Sequence, residues 1–597
     1  MDKRRDEIES KYKWDLESIY KNKLELEKDI KKIENMKNEL LAKKDSIMIS
    51  ALNLYQFLEE FESVNILLEK IYVYAKMKSD EDKTNNEYLE LSSIIDNINT
   101  KFEESFSFLR PLFLSYNYSI IEQYFKEEPR LLKFKRYLEE IFRYKIHTLS
   151  KEEEKIISSF SNILNKSNDT AALIRNAEIK FTDILDSKGQ SNTLNNSNYT
   201  KYLTSFDRVL RKNAFFSMYK AYEGLKNTLA STLYGEIEGN VLLAKTYKYN
   251  SIMEYLLFSD NVNVKIVDNL IKTVNDNLSV LFKYYDVKKT ILNLDEFHLY
   301  DLYTPLIKDD TKKYPFAEGK ELVIKALSVL GEDYIKIVNM AFDERWIDIY
   351  QNVGKRSGAY SWGSYATKPF MLLNYNDRLN DVSTLAHEMG HSIHSYLSKN
   401  NNSYTEASYK IFVAEVASTV NELLLYKYML KNSHSKKEKL IILNELMELF
   451  KSTIYRQTMF CEFDKLIYQT VEQGNVLTSK YLEEEYLKLN KKYFNCDIII
   501  DDDIKYEWMR ISHFYMNFYV YKYATGLSSA CYIVNKILTE KENYIPKYLE
   551  FLKSGNKDEP INILKIAGVD ITNPNVIKSA INMFDETIDE FIKLNKN

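Results

Sequence analysis

The sequence predicts a mainly α-helical protein, on three observations. Turn punctuation is sparse, with 14 Gly and 8 Pro in 597 residues, so the segments between turns are long. Apolar residues recur at helical spacing among Lys and Glu over most of the chain. Strand-like patterns are confined to short pieces, chiefly residues 369–375. A chain of this length buries a large core; length alone suggests three or four domains or one big helical body, and 47 Tyr and 30 Phe supply much of the apolar mass.

Charge and composition exclude several classes. A net charge of −5 leaves no electrostatic footprint for nucleic acid. No run of about 18 apolar residues occurs, and the N-terminus lacks an apolar leader core, so no membrane partner is expected. Cys461, Cys496 and Cys531 lie far apart with no CxxC pair and read as ordinary thiols of a reducing compartment. The expected location is cytoplasmic.

In chain order, residues 15–46 carry Leu24, Ile30, Ile33, Met36 and Leu40 at helical spacing, a charged helical hairpin that packs on one side. Helical patterns continue to about residue 166, interrupted near Pro111 and Pro129. The polar segment 186–198 reads as a boundary, giving an N-terminal helical region at 1–190 and a main body at 191–597. Long helices resume over 203–292, and a turn-rich stretch follows at 295–313.

The texture changes at 348–376. Gly354, Gly358 and Gly363 fall close together, without the spacing or the Lys-Ser/Thr ending of a phosphate-binding loop. Residues 369–375 then read as a strand running into the next helix. Such a strand can offer its backbone to an extended peptide; it also reads as a buried strand of a small sheet, and the two readings are compatible.

That next helix carries Thr384-Leu385-Ala386-His387-Glu388-Met389-Gly390-His391. Four residues advance a helix by just over one turn, so His387 and His391 stack on one face about 6 Å apart and can converge on one tetrahedral ion. Glu388 points about 100° around the helix, where it flanks the ion without ligating it. A general base for a metal-bound water belongs there. Val382, Leu385, Ala386, Met389, Ile393 and Leu397 cluster on the opposite side, so one face packs into a core. His394 shares the histidine face but lies too far along to close the site, and reads as a packing or supporting residue.

Catalytic zinc commonly has three protein ligands. Glu415 sits amid small and apolar residues in Phe412-Val413-Ala414-Glu415-Val416-Ala417-Ser418, where an ionised carboxylate is costly unless paired or metal-bound. Glu422, seven residues later, lies on the same face and can orient a ligand. Near the C-terminus, His513 is followed by Tyr515, Tyr519, Tyr521 and Tyr523. This is either a supply of donors for a tetrahedral oxyanion or an aromatic core.

The run from His387 to His391, followed by Glu415, resembles the thimet-oligopeptidase (M3) metallopeptidases. Residues 354–360, His513-Phe514-Tyr515 and the run from Tyr519 to Gly526 are similar to the oligoendopeptidase F branch, as is Tyr12-Lys13-Trp14-Asp15-Leu16. The resemblance implies a two-lobed helical body with a deep substrate channel and a small β-sheet beside the metal helix, with 191–597 as the catalytic domain. It implies one zinc per chain on His387, His391 and Glu415, and Glu388, His513 and Tyr519 in catalysis. Gly358, Tyr360, Tyr365 and Tyr521 become candidates for substrate contact. The expected activity is endopeptidase hydrolysis of short unfolded oligopeptides. A metallocarboxypeptidase and a peptide-binding protein with a structural metal remain the alternatives.

Overall fold

In the computed structural model, residues 3–308, 312–494 and 497–596 are described; Cys496 and part of the 295–313 stretch lie outside them. The protein is mainly α, with small sheets. The chain divides into two compact units, each discontinuous: Met1–Ile146, Thr311–Lys431 and Ile533–Val569 form the first, and His147–Asp310, Asn432–Tyr532 and Asp570–Asn597 the second. The sequence boundary near residue 190 falls inside the second unit.

The first unit begins with α1 (Lys23–Ala42), α2 (Ala51–Glu81) and α3 (Asn86–Phe106). Asn22 and Ser50 cap α1 and α2 by accepting from backbone N–H groups in the first turn. Leu26, Ile33 and Leu40 recur every seventh residue along α1 and are buried, whereas Leu24 is exposed. Residues 15–46 thus hold one long helix rather than a hairpin: α1 packs on one side, as its pattern predicts, but its antiparallel partner is α2, beyond that span.

A three-stranded sheet follows: β1 (Ile347–Asp348), β2 (Tyr360–Trp362) and β3 (Phe370–Leu372), in the order β1-β3-β2. β3 pairs parallel with β1 and antiparallel with β2, with Ser361 opposite Met371. The strand expected at 369–375 thus exists but is the central one. All three of its residues are buried and both its edges are taken, so it cannot offer its backbone to a peptide. The edge strand is β2.

The N-terminal Tyr12–Leu16 segment braces this sheet. Trp14 packs edge-on to Phe370 at 6.2 Å, and its indole N–H donates to Glu81 at the end of α2. Arg5 bridges Glu81 and Asp348, and the buried Lys355 closes on Asp348 at 2.6 Å. An aromatic and ionic clamp therefore joins a remote segment to β1.

Behind the sheet run α4 (Leu379–Asn401), α5 (Ile411–Asn432) and α6 (Ile545–Lys553). Val382, Leu385, Ala386, Met389 and Ile393 of α4 are fully buried, as the periodicity predicts. Gly390 lies where α5 comes closest. Asn421 of α5, itself buried, donates to the Ala386 carbonyl and accepts from Tyr334.

The second unit is also helical, with a short hairpin pairing Ile184–Leu185 with Ser191–Asn192 and a parallel pair of Phe297–His298 with Ile498–Ile499. Helices Lys436–Phe450 and Gln457–Glu472 are joined through a π-helical stretch, Lys451–Arg456. Cys461 and Cys531 are buried. Among the described residues no helix is long and apolar enough to cross a membrane.

Candidate active site

The i,i+4 spacing places His387 and His391 on one face of α4, with ring centres 5.0 Å apart. Glu415 comes from the start of α5. Its Oε2 lies 3.5 Å from His387 Nε2 and 3.7 Å from His391 Nε2. Two donors held tetrahedrally at roughly 2.0–2.1 Å from one zinc stand about 3.3 Å apart, so this triad fits such an ion closely. Among the described residues it is the one cluster of three His, Cys, Asp or Glu side chains able to share a metal.

The helix contact that sets this geometry is steric. A Cβ on Gly390 would stand 2.6 Å from Ser418 Cα and 2.7 Å from the Ala417 carbonyl. Only glycine at the fourth position of the motif lets α5 approach close enough for Glu415 to reach the histidines.

Glu422 orients the first histidine. Its Oε2 faces His387 Nδ1 at 3.4 Å, and its Oε1 accepts from Ser383 at 2.7 Å. With Nδ1 held by a carboxylate, Nε2 is the nitrogen presented to the site. Burial disfavours charge on His387, but Glu415 and Glu422 outweigh it and raise the group to about 10. Burial and the neighbouring His387 lower His391 to about 4. His394 is buried, lies flat on Tyr409 at 3.8 Å and is held neutral by burial, lowered to about 3. It packs beside the site rather than joining it.

Glu388 is 7% exposed. Burial lifts its carboxyl to about 7, with Glu415 adding to the rise, while His387 and the Ser361 backbone N–H oppose it. That N–H belongs to β2, whose Ser361 hydroxyl also meets Ser392 of α4 at 2.8 Å. Edge strand and carboxylate are thus joined: Ser361 turns its backbone N–H toward Glu388 on the side of β2 away from β3.

Beside β2 opens a cavity of about 490 Å³, lined among others by Trp362, Tyr365, Tyr404, Glu69 and Lys399. Tyr365 donates from its hydroxyl to the Asn402 carbonyl and from its backbone to Glu69. Burial holds Lys399 down at about 8 and raises Glu69, so each gains from a polar partner. Of the other substrate candidates, Tyr360 donates its hydroxyl to Asp80, and Gly358, at φ +84°, has its carbonyl held by Asn374.

His513 and the tyrosines lie in the second unit. His513 is half-buried, with Nε2 3.3 Å from the Tyr523 hydroxyl, and burial lowers its pKa. Tyr519 packs edge-on to Tyr523 at 5.4 Å. Just before it, Asn517 and Phe518 both have positive φ, 48° and 62°; for a bulky residue such as Phe518 this is a strained conformation of the kind concentrated at functional sites. Tyr515 and Tyr521 are different: both are buried, bonded to Thr232 and Asp260 respectively. Tyr521 therefore belongs to an internal network, which bars it from substrate contact. Tyr523 is among the tyrosines named after His513 but is not singled out by the sequence, because nothing distinguishes it within that run. Ser383, one turn before His387 on the same face, was detectable by spacing.

Similarity to known proteins agrees with this geometry. The sequence model described as Peptidase family M3 matches residues 201–583, and that described as Oligopeptidase F matches 113–181. Oligopeptidase PepF of Bacillus subtilis is 40% identical over 99% of this chain and 88% of its own length. Group B oligopeptidase PepB of Streptococcus agalactiae is 37% identical over 100% of this chain and 99% of its own. The crystal structure of oligoendopeptidase-F from Enterococcus faecium superposes with a TM-score of 0.73 at 34% identity, covering 96% of this chain and 98% of that one. The chain belongs to peptidase family M3 and is a peptide-bond hydrolase.

Proposed function

We propose that the protein is a zinc-dependent endopeptidase that hydrolyses internal bonds of short, unfolded oligopeptides. The observation that carries this reading is the placement of Glu388: a buried carboxyl raised to about 7, next to a complete His387–His391–Glu415 donor set and bonded to an edge strand. A purely structural metal has no use for that carboxyl. The names of the relatives, oligopeptidase and oligoendopeptidase, support the substrate class.

His387, His391 and Glu415 would hold the ion, which when bound supplies Lewis acidity to a peptide carbonyl and to water. An extended peptide adds to the outer edge of β2, where Ser361 lies opposite Glu388, and its side chains enter the cavity along Trp362 and Tyr365. Glu388 takes a proton from the attacking water and delivers it to the leaving amine. His513, with Tyr523 or Tyr519, donates to the carbonyl oxygen as it gains charge. A folded substrate cannot lay a strand on β2, which is why unfolded peptides are expected.

Mass spectrometry of the products from a mixed peptide digest tests the reading. Internal cleavage of peptides with blocked N- and C-termini is the expected result. Release of single C-terminal residues only, with blocked peptides left intact, would make the protein a carboxypeptidase instead.

A further inference from the structure

The second unit holds a cluster of charge, part buried and part at the edge of solvent, that the peptidase chemistry does not use. Lys288 and Lys451 share one carboxylate, Glu448, and Arg456 and Arg510 share another, Glu507. Lys288 lies 2.7 Å from Glu448, and its side chain is 0% exposed. Tyr486 donates to Glu507 as well, at 2.7 Å, so that carboxylate is shared among three donors. Four cations thus surround two anions. The neighbouring charges do not redress the balance, because Arg208 and Arg211 share the single carboxylate of Asp301.

Excess charge of one sign is costly inside a protein unless it is paired or solvated. Burial holds Lys288 down at about 8 even with Glu448 beside it. The Nε of Arg510 is buried without a hydrogen-bond partner. Between these groups lies a cavity of about 50 Å³, lined by Lys451, Arg456, Arg510, Tyr303, Tyr199 and Glu507. One water needs on the order of 10–15 Å³ measured in this way, so there is room for a small ion together with a few waters.

We propose that this cavity binds a monovalent, halide-sized anion, chloride under ordinary conditions, which completes the charge balance of Lys451, Arg456 and Arg510. Guanidinium and ammonium N–H groups are donors only, so an anion satisfies them where a water satisfies them in part. The residues of this site all belong to the second unit, whereas the metal triad belongs to the first, and Arg510 comes just before His513 in the chain.

A ligand bound only by the folded state raises the unfolding midpoint in proportion to the logarithm of its concentration above Kd. The test is thermal unfolding of the zinc-loaded protein in sodium chloride against sodium gluconate at equal ionic strength. The midpoint is expected to rise with chloride, and the rise to vanish in Lys451→Met, which removes one unmatched cation and leaves Glu448 paired with Lys288. Crystals grown in bromide should show an anomalous peak among Lys451, Arg456 and Arg510. Equal wild-type midpoints in the two salts, an undiminished chloride response in a folded Lys451→Met, or a bromide crystal without that peak would each overturn the proposal.

Discussion

Gly390 and Ser418 stand so close across α4 and α5 that a single methyl group on the glycine would come within 2.6 Å of the Ser418 Cα. Backbone, not a pliable side chain, is what that methyl would meet. Gly390→Ala should therefore push α5 outward, costing about 1–3 kcal/mol of stability, as overpacking does elsewhere. Because Glu415 rides on α5, the variant should also bind zinc more weakly than its stability loss alone accounts for. Thermal unfolding with and without a chelator reads both effects, and a variant with wild-type zinc affinity would show that α5 does not set the ligand geometry.

Glu388→Gln separates binding from chemistry. The amide keeps the shape and the Ser361 hydrogen bond but removes the proton acceptor. The variant should retain zinc and lose about 10²–10⁴ in kcat, the range of a general base. Zinc content by elemental analysis beside peptide turnover decides it, and near-normal turnover would assign Glu388 another role.

Glu422 acts through His387. Replacing it with Gln leaves a weaker partner for His387 Nδ1 and for the Ser383 hydroxyl, which together fix the ring. The expected loss is about 10–100-fold in metal affinity, with kcat little changed once zinc is saturating. Competition against a chelator of known strength measures it. A full loss of kcat at saturating zinc would mean that Glu422 does more than orient.

How far the site could be read in advance depended on the range of the physical constraint. His387, His391 and Glu388 are fixed by helix geometry within five residues, and Glu415 stands out because an acid among Val and Ala needs a reason to be there. The role of Gly390 is invisible locally, since it is set by the backbone of another helix. The error over β3 has the same origin: its sequence reads as a strand in any position, and only pairing with β1 and β2 makes it central. The two discontinuous units could not be read at all, because each gathers segments separated by more than a hundred residues.

The tyrosines allow the sharpest discrimination. Tyr519 and Tyr523 are half-buried and gather with His513, whereas Tyr515 and Tyr521 are buried with hydroxyls bonded to Thr232 and Asp260. A donor to a developing oxyanion strengthens its hydrogen bond only as the tetrahedral state forms. Its loss should lower kcat and kcat/KM together, with KM little changed. Tyr523→Phe or Tyr519→Phe should therefore cost about 10²–10³ in rate, equivalent to about 3–4 kcal/mol, without lowering the unfolding midpoint much. Tyr515→Phe and Tyr521→Phe should do the reverse. Each removes a buried hydrogen bond worth about 0.5–1.5 kcal/mol of stability and leaves kcat nearly intact. Steady-state kinetics and thermal unfolding on the four variants sort them. If Tyr521→Phe is the catalytically crippled one while Tyr519→Phe and Tyr523→Phe turn over normally, the assignment by burial fails. Should all four keep their kcat, His513 and the ion carry the oxyanion without a phenol.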